Sequence, residues 1–161
     1  MRRIAATAIS VILVLTTAMP IALAGTQGPP TEVEATFTAS EMGLVLCAFD
    51  VGFDLSGKAK TIDLSGGRMI LTSPGLSVTL TNLDSPEHQV TLSITGAFHN
   101  TELPNGNVQT VYTGRNLFFD PLEGFVLLIG KFTGVADAST NMLVQPLEEN
   151  GQKIDVCGLL D

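Results

Sequence analysis

The residues that could bind a transition metal are two histidines, His88 and His99. Imidazole nitrogens with nearby carboxylates are common ligands of zinc and copper. A continuous strand, however, would place residues eleven positions apart on opposite faces and about 36 Å from each other. We therefore expect both histidines to be exposed at strand ends, and the sequence predicts no metal site and no cofactor.

Serine, histidine and aspartate, the side chains of a hydrolytic triad, are all present, but no motif assembles them. The chain lacks a Gly-x-Ser-x-Gly sequence. The small residues around 64–67 lack the flanking glycine and the following helix that such a nucleophile needs. The sequence thus predicts no catalytic residues and a protein that is not an enzyme.

Asp50 and Asp54 are candidates for a calcium site, because carboxylate oxygens are the ligands that Ca²⁺ prefers. On one strand their Cα atoms would be roughly 13 Å apart, which is too far for a single ion without a third element. We expect instead a hairpin at residues 56–57. It would bring the two carboxylates opposite Lys58 and Lys60 as solvated cross-strand pairs.

The most unusual segment is residues 114–124, which combines one arginine, two adjacent phenylalanines, two acids and two glycines. Adjacent strand residues point to opposite faces, so Phe118 and Phe119 cannot both enter one core. One interpretation is a recognition loop with an apolar tip. The other is a corner strand, braced by Arg115 and Asp120, with both rings packed between sheets. The candidate recognition residues are Arg115, Asn116, Phe118, Phe119 and Asp120.

The two cysteines, Cys47 and Cys157, predict a disulfide, because an even number of cysteines in an exported chain is typical of a pair. Closing so long a loop would stabilise the fold by about 4–5 kcal/mol in the chain-entropy model. Cys47 shares strand parity with Phe49 and should face the core. Cys157 has the parity of Asp155, so the last strand must end or bulge near Val156.

Residues 1–24 have the pattern of a secretory signal peptide. Two arginines precede an apolar run over 4–15, and residues 22–24 offer a small-x-small cleavage pattern. The alternative is an uncleaved membrane anchor, but the apolar residues 4–19 are fewer than the ~20 needed to span a bilayer. We expect a mature protein that begins at Gly25 and is secreted or held in the cell envelope, without a membrane span.

The charge balance excludes a nucleic-acid partner. The chain has 8 basic and 16 acidic side chains, a net charge of −8, and cleavage would remove two of the arginines. Phosphate binding requires a concentration of lysine and arginine that is missing here. We expect the partner to be another protein or a component of the envelope, and the oligomeric state is open.

Most of the remaining chain alternates apolar and polar residues with period two, which predicts half-buried strands. The pattern is clearest at residues 47–55, 76–80 and 90–94. The continuously apolar residues 125–129 fit a strand that is buried on both faces. Turn signals stand between such runs at 65–67, 74–75, 84–86, 104–106 and 114–116.

These signals predict an all-β domain of about nine or ten strands. The fold is either an antiparallel β-sandwich of Greek-key, immunoglobulin-like type or a closed β-barrel. Residues 25–40 are expected to form an extended N-terminal lead-in and residues 41–161 a single β domain. The Asn-Gly pair at 150–151 predicts a tight hairpin near the C-terminal end.

Five short pieces of the sequence carry a resemblance. They are residues 47–51 (CAFDV), 57–61 (GKAKT), 72–75 (TSPG), 113–117 (TGRNL) and 154–157 (IDVC). In these pieces the chain resembles small exported proteins of unassigned function from high-GC Gram-positive bacteria. The resemblance implies export and a disulfide between the two ends of the domain, and it implies no activity.

Three functions fit these expectations. The first is a non-enzymatic binding or structural module of the envelope or the extracellular space. The second is a β-barrel that binds a small apolar ligand, for which a cavity of several hundred Å³ is the decisive feature. The third is a secreted enzyme of unfamiliar type, which requires a cleft with buried carboxylates or histidines.

Overall fold

The structure, a computed structural model, describes residues 28–161, so the expected signal peptide and its cleavage site lie outside the described residues. The described chain is almost entirely β-structure, as the period-two pattern predicts. It contains nine strands, one turn of 3-10 helix (Ser40–Met42) and one short helix. The elements are β1 (Thr31–Thr38), β2 (Val51–Leu64), β3 (Arg68–Thr72), β4 (Ser77–Asn82), β5 (Gln89–Ser93), β6 (Ala97–Glu102), β7 (Val108–Asp120), β8 (Gly124–Ala136), β9 (Glu148–Asp155) and α1 (Cys157–Leu160).

All nine strands belong to one open antiparallel sheet with the order β5-β4-β2-β3-β6-β7-β8-β9, and β1 pairs with β2. The expectation of a closed barrel is wrong, because the terminal strands β5 and β9 do not pair with each other. Strand β2 pairs with both β3 and β4, and β3 pairs with β6, so the β4–β5 hairpin is inserted in sequence between two strands that are neighbours in the sheet. From β6 to β9 the strands follow one another as a meander, and the longest of them are bent.

Glycines mark the line along which the long strands bend. Gly114 of β7 pairs with Gly130 of β8, and Gly130 pairs with Gly151 of β9, so three glycines lie side by side across the sheet. Gly130 has a φ of 124°, a conformation that side chains other than glycine rarely adopt. An added Cβ at Gly130 would lie 2.8 Å from the carbonyl oxygen of Asn150. Glycine thus lets the strands bend and approach closely without ending.

The bends fold the sheet over on itself. The ring of Phe53 on β2 packs against Phe125 on β8, at 6.1 Å between centroids, although β3, β6 and β7 separate these strands in the sheet. The largest core cluster accordingly joins inward residues of β1, β2, β4 and β5 to residues of β8 and α1.

A second cluster lies on the other side of β8. It contains Tyr112, Phe118 and Val126 together with Leu143 and other residues of the β8–β9 connection. The first half of β8 is therefore covered on both faces, since Leu127 belongs to the first cluster and Val126 to the second. This confirms the interpretation of residues 125–129 as a strand buried on both sides.

Three local expectations differ from the structure. The hairpin expected at residues 56–57 is wrong, because β2 continues through both residues and only bends at Gly57. As a result Lys58 pairs with Glu32 on β1 rather than with an aspartate. The hairpin at residues 150–151 is also wrong, because both residues lie within β9 and pair with β8. The turn expected at 114–116 is a bend inside β7.

Strand β1 lies within the segment expected as an N-terminal lead-in. All eight of its residues pair with β2. Val33 and Ala35 are buried, so this part of the chain belongs to the core. Within residues 28–161, no helix has the length and apolar character needed to cross a membrane.

The predicted disulfide is confirmed. Cys47 and Cys157 are bonded, with their Cα atoms 5.6 Å apart. Strand β9 ends at Asp155 and α1 begins at Cys157. Because the strand ends before Val156, strand alternation no longer forces the Cys157 side chain to the same face as Asp155. The bond therefore joins the segment before β2 to the helix after the last strand.

Candidate ligand cavity

The folded sheet forms a cavity of about 370 Å³ that is partly open to solvent. It lies between three separate clusters of buried apolar residues. Phe53 and Leu55 of the first cluster, Tyr112 and Phe118 of the second, and Leu76 of the third all line it. The volume is at the lower end of the range for small-molecule binding sites.

Strand periodicity explains which side chains reach the cavity. In β3, in β6 and in the first half of β7 (108–112), alternate residues line the cavity, and the residues between them point to the opposite face. Beyond the bend at Gly114, the consecutive residues 116–118 all contribute to the lining. The strand pairings place these lining residues in rows, with Leu71 opposite Phe98 and Phe98 opposite Tyr112. The residues that form this wall are Met69, Leu71, Phe98, Asn100, Thr110 and Tyr112.

Small side chains leave the space unfilled. Ala59, Ser73 and Ala136 line the cavity and are themselves buried, so no long side chain projects from these positions. A packed interior normally leaves few voids larger than a water molecule. A cavity of this size with a mainly apolar lining is therefore a feature that requires an explanation.

The wall also contains polar side chains, half of them on β6 and β7; these four are Asn100, Thr110, Tyr112 and Asn116, and the others are Thr61, Ser73, Asp137 and Asn141. The Thr110 hydroxyl donates a hydrogen bond of 2.9 Å to Asn100 Oδ1. The side-chain amide of Asn116 donates to the carbonyl oxygen of Thr113 at 2.9 Å. Burial raises the pKa of the Tyr112 hydroxyl well above its ordinary value, so the phenol stays neutral and remains a hydrogen-bond donor.

The lining holds no lysine, arginine or histidine. The carboxylate nearest to the cavity is that of Asp137, which follows β8 at the rim. Hydrogen bonds from the Ser139 side chain and from the backbone N–H groups of Thr140 and Ser139 lower the pKa of Asp137. The rim therefore carries a negative charge that no cation in the cavity wall balances.

Residues 137–147, which we name the cover segment, connect β8 to β9 and lie over the second cluster. Leu143 and Leu147 of this segment are buried in that cluster. Two carboxylates at the β7–β8 turn hold the segment in place. Asp120 accepts a hydrogen bond from the N–H of Leu143 at 3.0 Å, and Glu123 accepts one from the N–H of Leu147 at 2.8 Å.

Glu123 also pairs with Lys153 of β9, and Lys153 pairs with Glu149. Burial alone would lower the pKa of Lys153, but the hydrogen bonds to Glu123 and Glu149 outweigh burial and raise it. The turn, the cover segment and β9 are thus fixed to one another by these charged groups.

The candidate recognition residues lie in the second half of β7 and not in a loop. Phe118 belongs to the second cluster, while Phe119 packs against the first, so the two rings do lie on different apolar surfaces. Arg115 donates to the backbone carbonyl of Ser93 at 2.9 Å, and Asp120 is buried. Only Asn116 and Phe118 of this set reach the cavity. A recognition role for the segment stays a prediction.

The histidines do not converge. His88 precedes β5 and His99 is in β6, where it faces away from the cavity wall formed by its neighbours Phe98 and Asn100. Within the described part of the chain no three histidine, cysteine or acidic residues are grouped as metal ligands.

The sequence pattern does not predict the cavity, and it does not single out the residues of β3 that line the cavity. Met69, Ile70 and Leu71 are three consecutive apolar residues, so the sequence does not show which face of this strand is covered. Compared with protein-family models, with curated proteins and with solved structures, the chain has no significant match, so its function has to come from the geometry of the site.

Proposed function

We propose that the protein is a non-enzymatic binding protein that holds a small apolar ligand in the cavity of its folded sheet. The observation that carries the proposal is the cavity of about 370 Å³ with a mainly apolar lining. A void of this kind forfeits packing energy in the free protein, and a ligand of matching shape would recover it. The closed barrel first expected for such a function is replaced by an open sheet that bends.

The proposal places this binding protein outside the cytoplasm, either secreted or in the cell envelope. The Cys47–Cys157 disulfide supports that location, because such bonds persist in oxidising compartments. The signal-like residues 1–24 and the resemblance to small exported proteins point the same way. We further propose that the two parts of the folded sheet act as the layers of a sandwich, with the ligand between them. The contact between Phe53 and Phe125 supports this arrangement.

The two other candidate functions have less support. A catalytic cleft requires titratable groups that converge, and the lining offers only Tyr112 and the rim carboxylate of Asp137. A purely structural module would gain nothing from an apolar cavity beside its core.

Ligand binding can be tested with diphenylhexatriene, an apolar hydrocarbon that fluoresces when it leaves water. We expect the oxidised protein to bind it at a single site. The Leu71→Trp variant should weaken this binding at least about tenfold, because the larger ring occupies part of the cavity. Titration of the fluorescence against protein concentration measures both dissociation constants.

Ile70→Trp is the matched control, since Ile70 is the neighbouring half-buried residue of β3 but does not line the cavity. This variant should bind the probe as the original protein does. The chain contains no tryptophan, so each variant carries a single one, whose emission reports on its surroundings. Equal binding by both variants, or no binding by the original protein, would contradict the proposal.

A further inference from the structure

The position of the polar groups within the cavity defines the class of ligand further, given the function proposed above. Strand register orders the wall by depth. Val108 of β7 pairs with Ala136, next to the rim residue Asp137, and the next inward-facing residue of β7 is Thr110. Thr110 of β7 pairs with Asn100 of β6, so these two polar residues lie one row inside the rim.

The deeper wall is mostly apolar, although Thr61, Ser73 and Asn116 also line it and Tyr112 carries a hydroxyl group. Beyond the Asn100–Thr110 row, the next row contains Leu71, Phe98 and Tyr112, and Phe53 and Leu55 of β2 add further apolar surface. A ligand that fits this gradient has one polar group near the rim and an apolar body that extends inward.

The side chain of Asn100 has hydrogen-bonding capacity left. Its Oδ1 accepts from the Thr110 hydroxyl, and its Nδ2 group donates to no acceptor within residues 28–161. A half-buried amide donor that faces a cavity can bind an oxygen of a ligand, and leaving such a donor unpaired is costly.

The charge distribution excludes an anionic polar group. The lining offers no cation, and the ionised carboxylate of Asp137 lies at the rim beside the polar row. A carboxylate or phosphate on the ligand would meet a like charge there and would find no cation in the wall to pair with.

We propose that the cavity takes an uncharged amphiphile, a molecule with an apolar chain or ring system and one neutral oxygen group that accepts a hydrogen bond from Asn100. Alcohols, esters and ketones belong to this class. Free fatty acids in their ionised form do not.

The test is displacement of diphenylhexatriene by 1-decanol and by decanoate at pH 8, with the full disulfide-bonded protein. We expect 1-decanol to displace the probe at a concentration at least about tenfold lower than decanoate does. In Asn100→Leu, the affinity for 1-decanol should fall about three- to tenfold, because a hydrogen bond is lost, while that for the hydrocarbon probe stays within about twofold.

His99→Leu is the control, because His99 is the adjacent residue of β6, is exposed and faces away from the cavity. It should leave both affinities unchanged. Displacement by decanoate as effective as that by 1-decanol would overturn this inference, and so would an unchanged affinity of Asn100→Leu for 1-decanol. Either result leaves probe binding, and with it the proposed function, standing. Failure of the probe to bind the original protein refutes the proposed function itself. If Asn100→Leu does not fold, the comparison of the two displacers in the original protein decides the question.

Discussion

Tyr112 is the only tyrosine in the chain, and its buried hydroxyl group forms part of the cavity wall. Burial is the main cause of its raised pKa, and the negative charge of Asp120 raises it further, while a hydrogen bond with Thr110 opposes both. The phenol keeps its proton in the folded protein but releases it in the unfolded chain at the ordinary pKa of about 10.

We therefore expect the Tyr112 contribution to stability to be complete below pH 10 and to decline above it. The decline should approach about 1.4 kcal/mol of unfolding free energy per pH unit, because the folded state holds one proton more than the unfolded state. The ultraviolet absorbance of phenolate should be absent from the folded protein just above pH 10 and should appear only on unfolding. A phenolate signal from the folded protein at that pH would contradict the enclosed position of Tyr112.

Tyr112→Phe is the control for this pH dependence. It should reduce the decline in urea-unfolding free energy above pH 10 without abolishing it, because Lys153 also has a raised pKa. The ion pairs of Lys153 with Glu123 and Glu149 are complete below the ordinary lysine pKa and are lost as the pH rises through the folded value.

At the level of the strands, the row of glycines decides the shape of the sheet. Gly130→Ala introduces a side chain where φ is 124° and where the new Cβ would meet Asn150 O at 2.8 Å. We expect it to cost at least about 3 kcal/mol of unfolding free energy, because backbone strain and displacement of β9 add together. Chemical denaturation of the disulfide-bonded variant measures the loss.

Gly124→Ala separates these two causes. Gly124 also has a positive φ, of 78°, but an added Cβ there meets no atom within 4 Å. The expected cost is therefore only that of the backbone conformation, about 1 kcal/mol. Equal losses in the two variants would show that the close approach of β8 and β9 is unimportant.

The alternating residues predict the strands themselves. The predicted strand at residues 47–55 is correct only from Val51, where β2 begins, because residues 47–50 lie outside any strand. Residues 76–80 and 90–94 fall almost entirely in observed strands, and the doubly buried part of β8 follows from its continuous apolar run. At Gly57 and Gly151 the sequence predicts turns, whereas the structure has bends inside strands. A glycine with free φ serves a tight turn and a bend in a strand equally well, and only the partner strand distinguishes the two. The cavity could not be predicted for the same reason, because its position depends on how distant strands face each other after the sheet bends.

For the whole molecule, the disulfide is the main constraint on the unfolded chain, because Cys47 and Cys157 are 110 positions apart. Reduction should lower the unfolding free energy by about 4 kcal/mol and the melting temperature markedly. Thermal denaturation with and without a reductant measures the loss. The unfolded, unreduced protein should have no titratable thiol.

The double variant Cys47→Ser, Cys157→Ser is the control for side effects of the reductant. Its stability should match that of the reduced protein and should not respond to reductant. A melting temperature equal to that of the oxidised protein would mean that the cross-link contributes nothing beyond the native contacts.

The same bond determines how the molecule would respond to a stretching force. If the chain is pulled at Gly28 and Asp161, tension runs from Cys47 directly to Cys157 and bypasses the span between them. The load falls on β1 and the segment up to Cys47, and on the few residues after Cys157, while β2 to β9 lie within the bypassed span. Because Val33 of β1 lines the cavity, a tension that strips the first strand from the sheet would open the cavity and release a ligand while the cross-linked span stays folded.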